Sequence, residues 1–152
     1  MTCVAAYPDR VWAGPIGSLP NAGGKHEERL MRIAASLPAS DMERAKAWYA
    51  SVLNLDPTEI TVNGDAWYEL DGTRVLLYAS QFAGTNQATA AALEVEDVEA
   101  SVADLKARGA VFEDYDFGDE FRTVDGILTT PDGQKLAWLK DSEGNILGIG
   151  AE

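Results

Sequence analysis

Residues 36–55 read SLPASDMERAKAWYASVLNL, and residues 93–112 read LEVEDVEASVADLKARGAVF. Each begins as a short apolar strand, passes an acidic start signal and continues at helical spacing. The two segments keep one register. Leu37 and Leu93, Asp41 and Asp97, Glu43 and Glu99, and Ala47 and Ala103 all stand 56 positions apart. A constant offset across a strand and a helix points to one supersecondary unit present twice. In the first copy Ser40 to Glu43 reads as a capping box, Ser40 capping the helix and Glu43 reaching back. That helix is expected to run to about Leu53, with Met42, Ala45, Trp48, Tyr49 and Leu53 as its apolar stripe. In the second copy the helix starts at Asp97 and stops at Arg108, with Gly109 as its C-terminal signal.

Strands extend the pattern on both sides. MRIAASL, from Met31, precedes the first helix, and TEITVN, AWYEL and TRVLLYAS follow it. Asn63-Gly64 and Asp71-Gly72 are the residue pairs that tight hairpins require. After a linker, QFAGTNQ, the order restarts with ATAAALEV, the second helix, and the extended stretches VFEDYDF, VDGILTT, QKLAWLK and ILGIGAE. Asp116–Asp125 reads as an insertion in the second copy. The predicted fold class is α+β, two βαβββ modules: module one at 31–80, a linker at 81–87 and module two at 88–152. Alternation along strands places Ile33, Ala35 and Leu37, Val75, Leu77 and Ala79, Ala91, Leu93 and Val95, and Leu147, Ile149 and Ala151 against helices. The opposite face carries Ala34, Ser36, Leu76, Tyr78, Ala90, Ala92, Glu94 and Gly148.

Residues 1–30 differ. They are rich in proline and glycine and lack apolar periodicity, as expected of a disordered extension. Met31 heads the ordered pattern and is a candidate alternative start.

The quoted segments, together with WLKDSEGNILGI at 138–149, resemble the opening and closing motifs of vicinal-oxygen-chelate modules, the glyoxalase/bleomycin-resistance/dioxygenase type. The resemblance covers about Met31 to Gly150. It implies two paired modules forming a curved mixed sheet, helices on the convex face and a cleft on the concave one. Metal enzymes of this family hold a divalent ion with side chains from the first and last strand of each module. By motif those positions fall on Ala34, Ala90, Gly148 and Leu76, none of which carries a donor. The one histidine, His26, lies in the extension, and the one cysteine is Cys3. The expectation is therefore no metal and no other cofactor. Many relatives are dimers, which implies a homodimer here.

Charge sharpens the reading. The net charge is −13, which disfavours nucleic acid as a partner. The first 30 residues are neutral, so the excess lies in the module region. Such acidity serves solubility in many proteins; it also attracts a cation. No apolar run is long enough to span a bilayer, and the N-terminus lacks a signal-peptide pattern, so a cytoplasmic location without membrane partners is expected.

Small residues on the concave floor leave room for an organic guest. The expected ligand-binding set is Ala34, Ser36, Trp67, Leu76, Tyr78, Ala90, Ala92, Glu94, Trp138 and Gly148. Tyr68, Phe112, Tyr115 and Phe121 are further aromatics near the cleft strands. Aromatic walls suit flat or cationic ligands; for any single ring core packing is the plainer reading, and one or two of the set are expected to reach the cleft. Glu94 is the one catalytic candidate, as a base if the cleft raises its pKa; a solvated rim carboxylate is the plain alternative. The leading function is a glyoxalase/bleomycin-resistance-like protein that binds a small organic molecule without metal. The alternatives are a metal-independent isomerase or lyase, a metal-dependent glyoxalase or dioxygenase, and a scaffold with a vestigial cleft.

Overall fold

The computed structural model describes residues 33–118 and 121–151; the expectations for residues 1–30 lie outside them. Module one is β1 (Ala35–Ala39), α1 (Met42–Val52), β2 (Glu59–Ile60), β3 (Ala66–Leu70) and β4 (Thr73–Ala79). Its sheet has the order β1-β4-β3-β2, with β1 parallel to β4 and the other pairs antiparallel. Asp71 and Gly72 both adopt positive φ, 43° and 77°, the geometry of a two-residue hairpin turn. TEITVN keeps only two strand residues, because a turn from Thr61 to Asp65 takes up the rest.

Module two is β5 (Thr89–Val95), α2 (Val98–Ala107), β6 (Val111–Phe112), β7 (Thr123–Val124), β8 (Ile127–Thr129), β9 (Lys135–Lys140) and β10 (Ile146–Ala151). Its order, β5-β10-β9-β8-β7, repeats that of module one up to β8, and β5 is parallel to β10. β6 and β8 pair with the same edge of β9, one beyond the other. Together they take the place of β2, so the insertion interrupts an edge strand. The strands form two open sheets, and β1 lies against β5.

One face of each sheet packs against its helix. Leu37, Leu77, Tyr68, Leu139, Leu147 and Ile149 are almost fully buried, with Tyr49 and Val52 of α1 and Val98 and Val102 of α2 above them. Ile33, Ala79 and Ala151 are exposed, contrary to their strand parity, because they lie at strand ends beyond helix cover. Deleting side-chain atoms from such a core costs about 2–5 kcal/mol per Leu→Ala.

The modules are joined by a polar seam. Asp41, not Ser40, caps α1, accepting from the backbone N–H groups of Glu43 and Arg44. Ser40 is already engaged: its N–H and hydroxyl donate to Glu143 at 2.8 and 2.9 Å. Glu143, in the β9–β10 turn, has a fully buried side chain. It also accepts from the Asp41 N–H at 3.1 Å and from Arg44 Nε and Nη2 at 2.8 and 3.0 Å. Burial alone would raise its pKa. The Arg44 bonds, then those of Asp41 and Ser40, outweigh it and hold the carboxyl at about 2. Beside it, Tyr49 donates to Asp141 Oδ2 at 3.0 Å, and Asn145 Nδ2 donates to Asp141 and to the Pro38 carbonyl. The linker closes over this turn. Gly84 approaches so closely that a Cβ there would lie 2.7 Å from the Glu143 carbonyl oxygen.

Candidate functional site

Pairing of β5, β10 and β9 aligns residues in rows across module two. Lys140, Ile146 and Thr89 form one row; Trp138, Gly148 and Ala92 the next; Leu136, Gly150 and Glu94 the third. Gly148 and Gly150 leave the floor low. A Cβ on Gly148 would lie 3.3 Å from Thr89 Cγ2 and 3.7 Å from Trp138 Nε1, so Thr89 and the edge of the indole flank the glycine.

Two open grooves run end to end over these rows. One, of about 260 Å³, is lined by Ala92, Glu94, Leu136, Gly148 and Gly150. The other, of about 290 Å³, lies among Gln87, Tyr115, Phe117, Phe121 and Ile146. Thr89 and Trp138 line both. The insertion supplies the aromatic wall. Its chain turns back at Phe117, whose N–H donates to the Phe121 carbonyl, and Arg122 pairs with Asp116 at 3.2 Å. The backbone N–H of Gly118, then Arg122, lowers the Asp116 pKa. Tyr115 stands 5.6 Å from Trp138 edge-on, and Phe121 5.8 Å from it. Tyr115 stacks on Phe117 at 5.9 Å. Phe117 is 76% exposed.

Of the residues expected from sequence, Ala92, Glu94, Trp138 and Gly148 come together in this groove. Ala34, Ser36, Trp67, Leu76 and Tyr78 belong to module one and line neither groove. There the pairing sets Ser36, Trp67 and Leu76 on one face. The Trp67 ring is covered by the Arg74 guanidinium at 4.1 Å, itself paired with Glu59. Ala90 leaves the predicted alternation. The β5–β10 register shifts between Ile146 and Leu147, skipping Ala90; Ala90 packs towards the core and Thr89 lines the groove. A bulge of this kind breaks two-residue periodicity and is invisible to a parity count. Phe117, Thr89 and Gln87 escape the sequence reading. The alternation of Tyr115 and Phe117 was the available signal for the first.

The residues present do not fit the divalent ion that the fold suggests. Ala34, Leu76 and Gly148 have no donor, Ala90 packs towards the core, and Thr89, which lines the groove in its place, offers only a hydroxyl. Among the described residues no three His, Cys, Asp or Glu side chains converge. No helix among them is long and apolar enough to cross a membrane.

The profile of the Glyoxalase/Bleomycin resistance protein/Dioxygenase superfamily matches residues 29–146. Among solved structures, the chain is similar to a glyoxalase/bleomycin resistance protein from Catenulispora acidiphila. The TM-score is 0.60 at 23% identity, covering 81% of this chain and 99% of that one. TnmS3, an antibiotic binding protein from a Streptomyces species, gives 0.55 at 22% identity, over 80% and 96%. A lactoylglutathione lyase from Agrobacterium tumefaciens gives 0.57 at 18%, over 82% and 96%. At these identities the likeness carries the fold alone. No curated protein matches the chain.

Proposed function

We propose, from the premise that the chain belongs to the Glyoxalase/Bleomycin resistance protein/Dioxygenase superfamily, that it binds a small organic molecule on the concave face of module two without a metal ion. One observation carries the reading: the position expected to hold the last-strand metal ligand is Gly148, flanked by the Trp138 indole, which Tyr115 and Phe121 pack against in turn. A low floor with π-faces around it favours a flat guest through stacking and burial. The similarity to TnmS3, an antibiotic binding protein, supports small-molecule binding as a use of this fold.

Tryptophan fluorescence titrated with planar aromatic compounds, before and after treatment with a chelator, tests the reading. Saturable quenching unaffected by chelation is expected, weakened about tenfold in Trp138→Ala. A stoichiometric divalent ion that survives purification and is required for binding would overturn it. Turnover of a bound compound would replace it with metal-independent catalysis, for which Glu94 is the acid–base candidate in the groove.

A further inference from the structure

We infer that the ligand has two parts, a planar aromatic ring and a cationic group about one row further along the groove; this rests on the reading of the groove as a metal-independent binding site. The three rows divide it by chemistry. Rings cluster around the Trp138 row, where Tyr115 and Phe121 meet the indole and Phe117 packs on both of them. The third row ends on Glu94, which is exposed and lines the groove. Successive same-face residues on a strand stand about 7 Å apart, and that spacing sets the distance between ring and charge.

The sign of the charge follows from the neighbours. Lys140 pairs with Glu113 at 3.0 Å and Arg122 with Asp116 at 3.2 Å, so the cations beside the aromatic wall are already balanced. Among the described residues Glu94 makes no ion pair. The groove therefore presents one uncompensated carboxylate, in a chain of net charge −13, and an anionic guest is disfavoured along its whole length. Between the two ends the floor is Gly148 and Gly150. A Cβ on Gly150 would meet Leu136 Cδ2 at 3.2 Å, so a methyl there would crowd a wall residue and raise the floor over which the connecting atoms of the ligand pass.

Calorimetric titration of the full chain with naphthylpropylammonium, naphthylpropanol and propylammonium tests the inference. The first should bind about three- to fivefold more tightly than the second at low salt, the range of an exposed ion pair. That advantage should vanish in Glu94→Gln and in about 1 M salt, where screening is nearly complete. Propylammonium alone should not bind measurably, and Phe117→Ala should weaken both naphthyl compounds alike. Equal affinities for the two naphthyl compounds, or an advantage that survives Glu94→Gln, would overturn the two-part ligand and leave the aromatic groove standing. Failure of both naphthyl compounds to bind at millimolar concentration would overturn the groove reading and this inference with it.

Discussion

The rings of Tyr49 and Tyr68 lie 5.3 Å apart in the core, yet their hydroxyls are placed differently. Tyr49 donates to Asp141; burial, then the Asp141 charge, raises its pKa well above the ordinary value. Among the described residues the buried Tyr68 hydroxyl has no partner, and burial, then Asp56, pushes its pKa up to about 12. Removing an unpaired buried hydroxyl recovers its desolvation cost, whereas removing a paired one strands the acceptor. Tyr68→Phe is therefore expected to be neutral or stabilising by up to about 1 kcal/mol. Tyr49→Phe should cost about 1–3 kcal/mol; denaturant melts of the two variants check the opposite signs. Glu143 makes a pH prediction. Its carboxyl is held below the reference 4.5, at about 2. A depressed folded-state pKa stabilises above the unfolded value and is lost as pH falls through the folded one. Roughly 3 kcal/mol should disappear between about pH 4.5 and pH 2. Glu143→Gln should lose stability at pH 7 and converge on the parent near pH 2. A parallel offset at all pH values would sink the assignment. Gly84 has φ of 71° and no room for a Cβ, whereas Gly64 has φ of 88° and open space. Gly64→Ala should cost about 1–2 kcal/mol from backbone strain alone, and Gly84→Ala distinctly more, compared by thermal melts.

At the scale of elements, both helices are legible: α1 from its acidic start and apolar stripe, α2 from its acidic start, its stop residue and its register with α1. Asp97 caps α2 as the sequence indicates, and Gly109 follows at positive φ. The start of α1 is displaced by one residue for a reason no local rule contains. A carboxylate about a hundred positions away orients Ser40 by accepting from its N–H and hydroxyl, and the Asp41 carboxylate is the group that accepts from the first turn. Asp41→Ala and Asp97→Ala should each cost about 1 kcal/mol, a matched pair measurable by denaturant titration. The insertion is where local reading fails most. Tyr115 and Phe117 alternate as a strand would, but the chain folds back between Phe117 and Phe121 and lays its rings against Trp138. Of the groove, Ala92, Glu94, Trp138 and Gly148 follow from strand parity. Thr89 depends on a bulge, and Phe117 on a tertiary contact.

For the whole molecule, the concave faces set the expected assembly. Trp67, Leu76 and Tyr78 of module one are half-buried on a face that no helix among the described residues covers, and apolar surface of this kind is commonly covered by a second subunit. A homodimer is the proposal, with sedimentation at micromolar concentration as its measurement; a monomer there would refute it. The seam has a consequence for how the chain is made. Ser40 and Glu143 are 103 residues apart, and loop closure over such a span is slow to be rewarded. During synthesis, the first helix must wait for the final hairpin before its neighbouring polar groups find their partners. The seam is therefore expected to form after the rate-limiting step. Glu143→Gln should then accelerate unfolding while leaving the refolding rate almost unchanged. The turn between β9 and β10 would act as the clasp that decides how long the folded module pair stays closed.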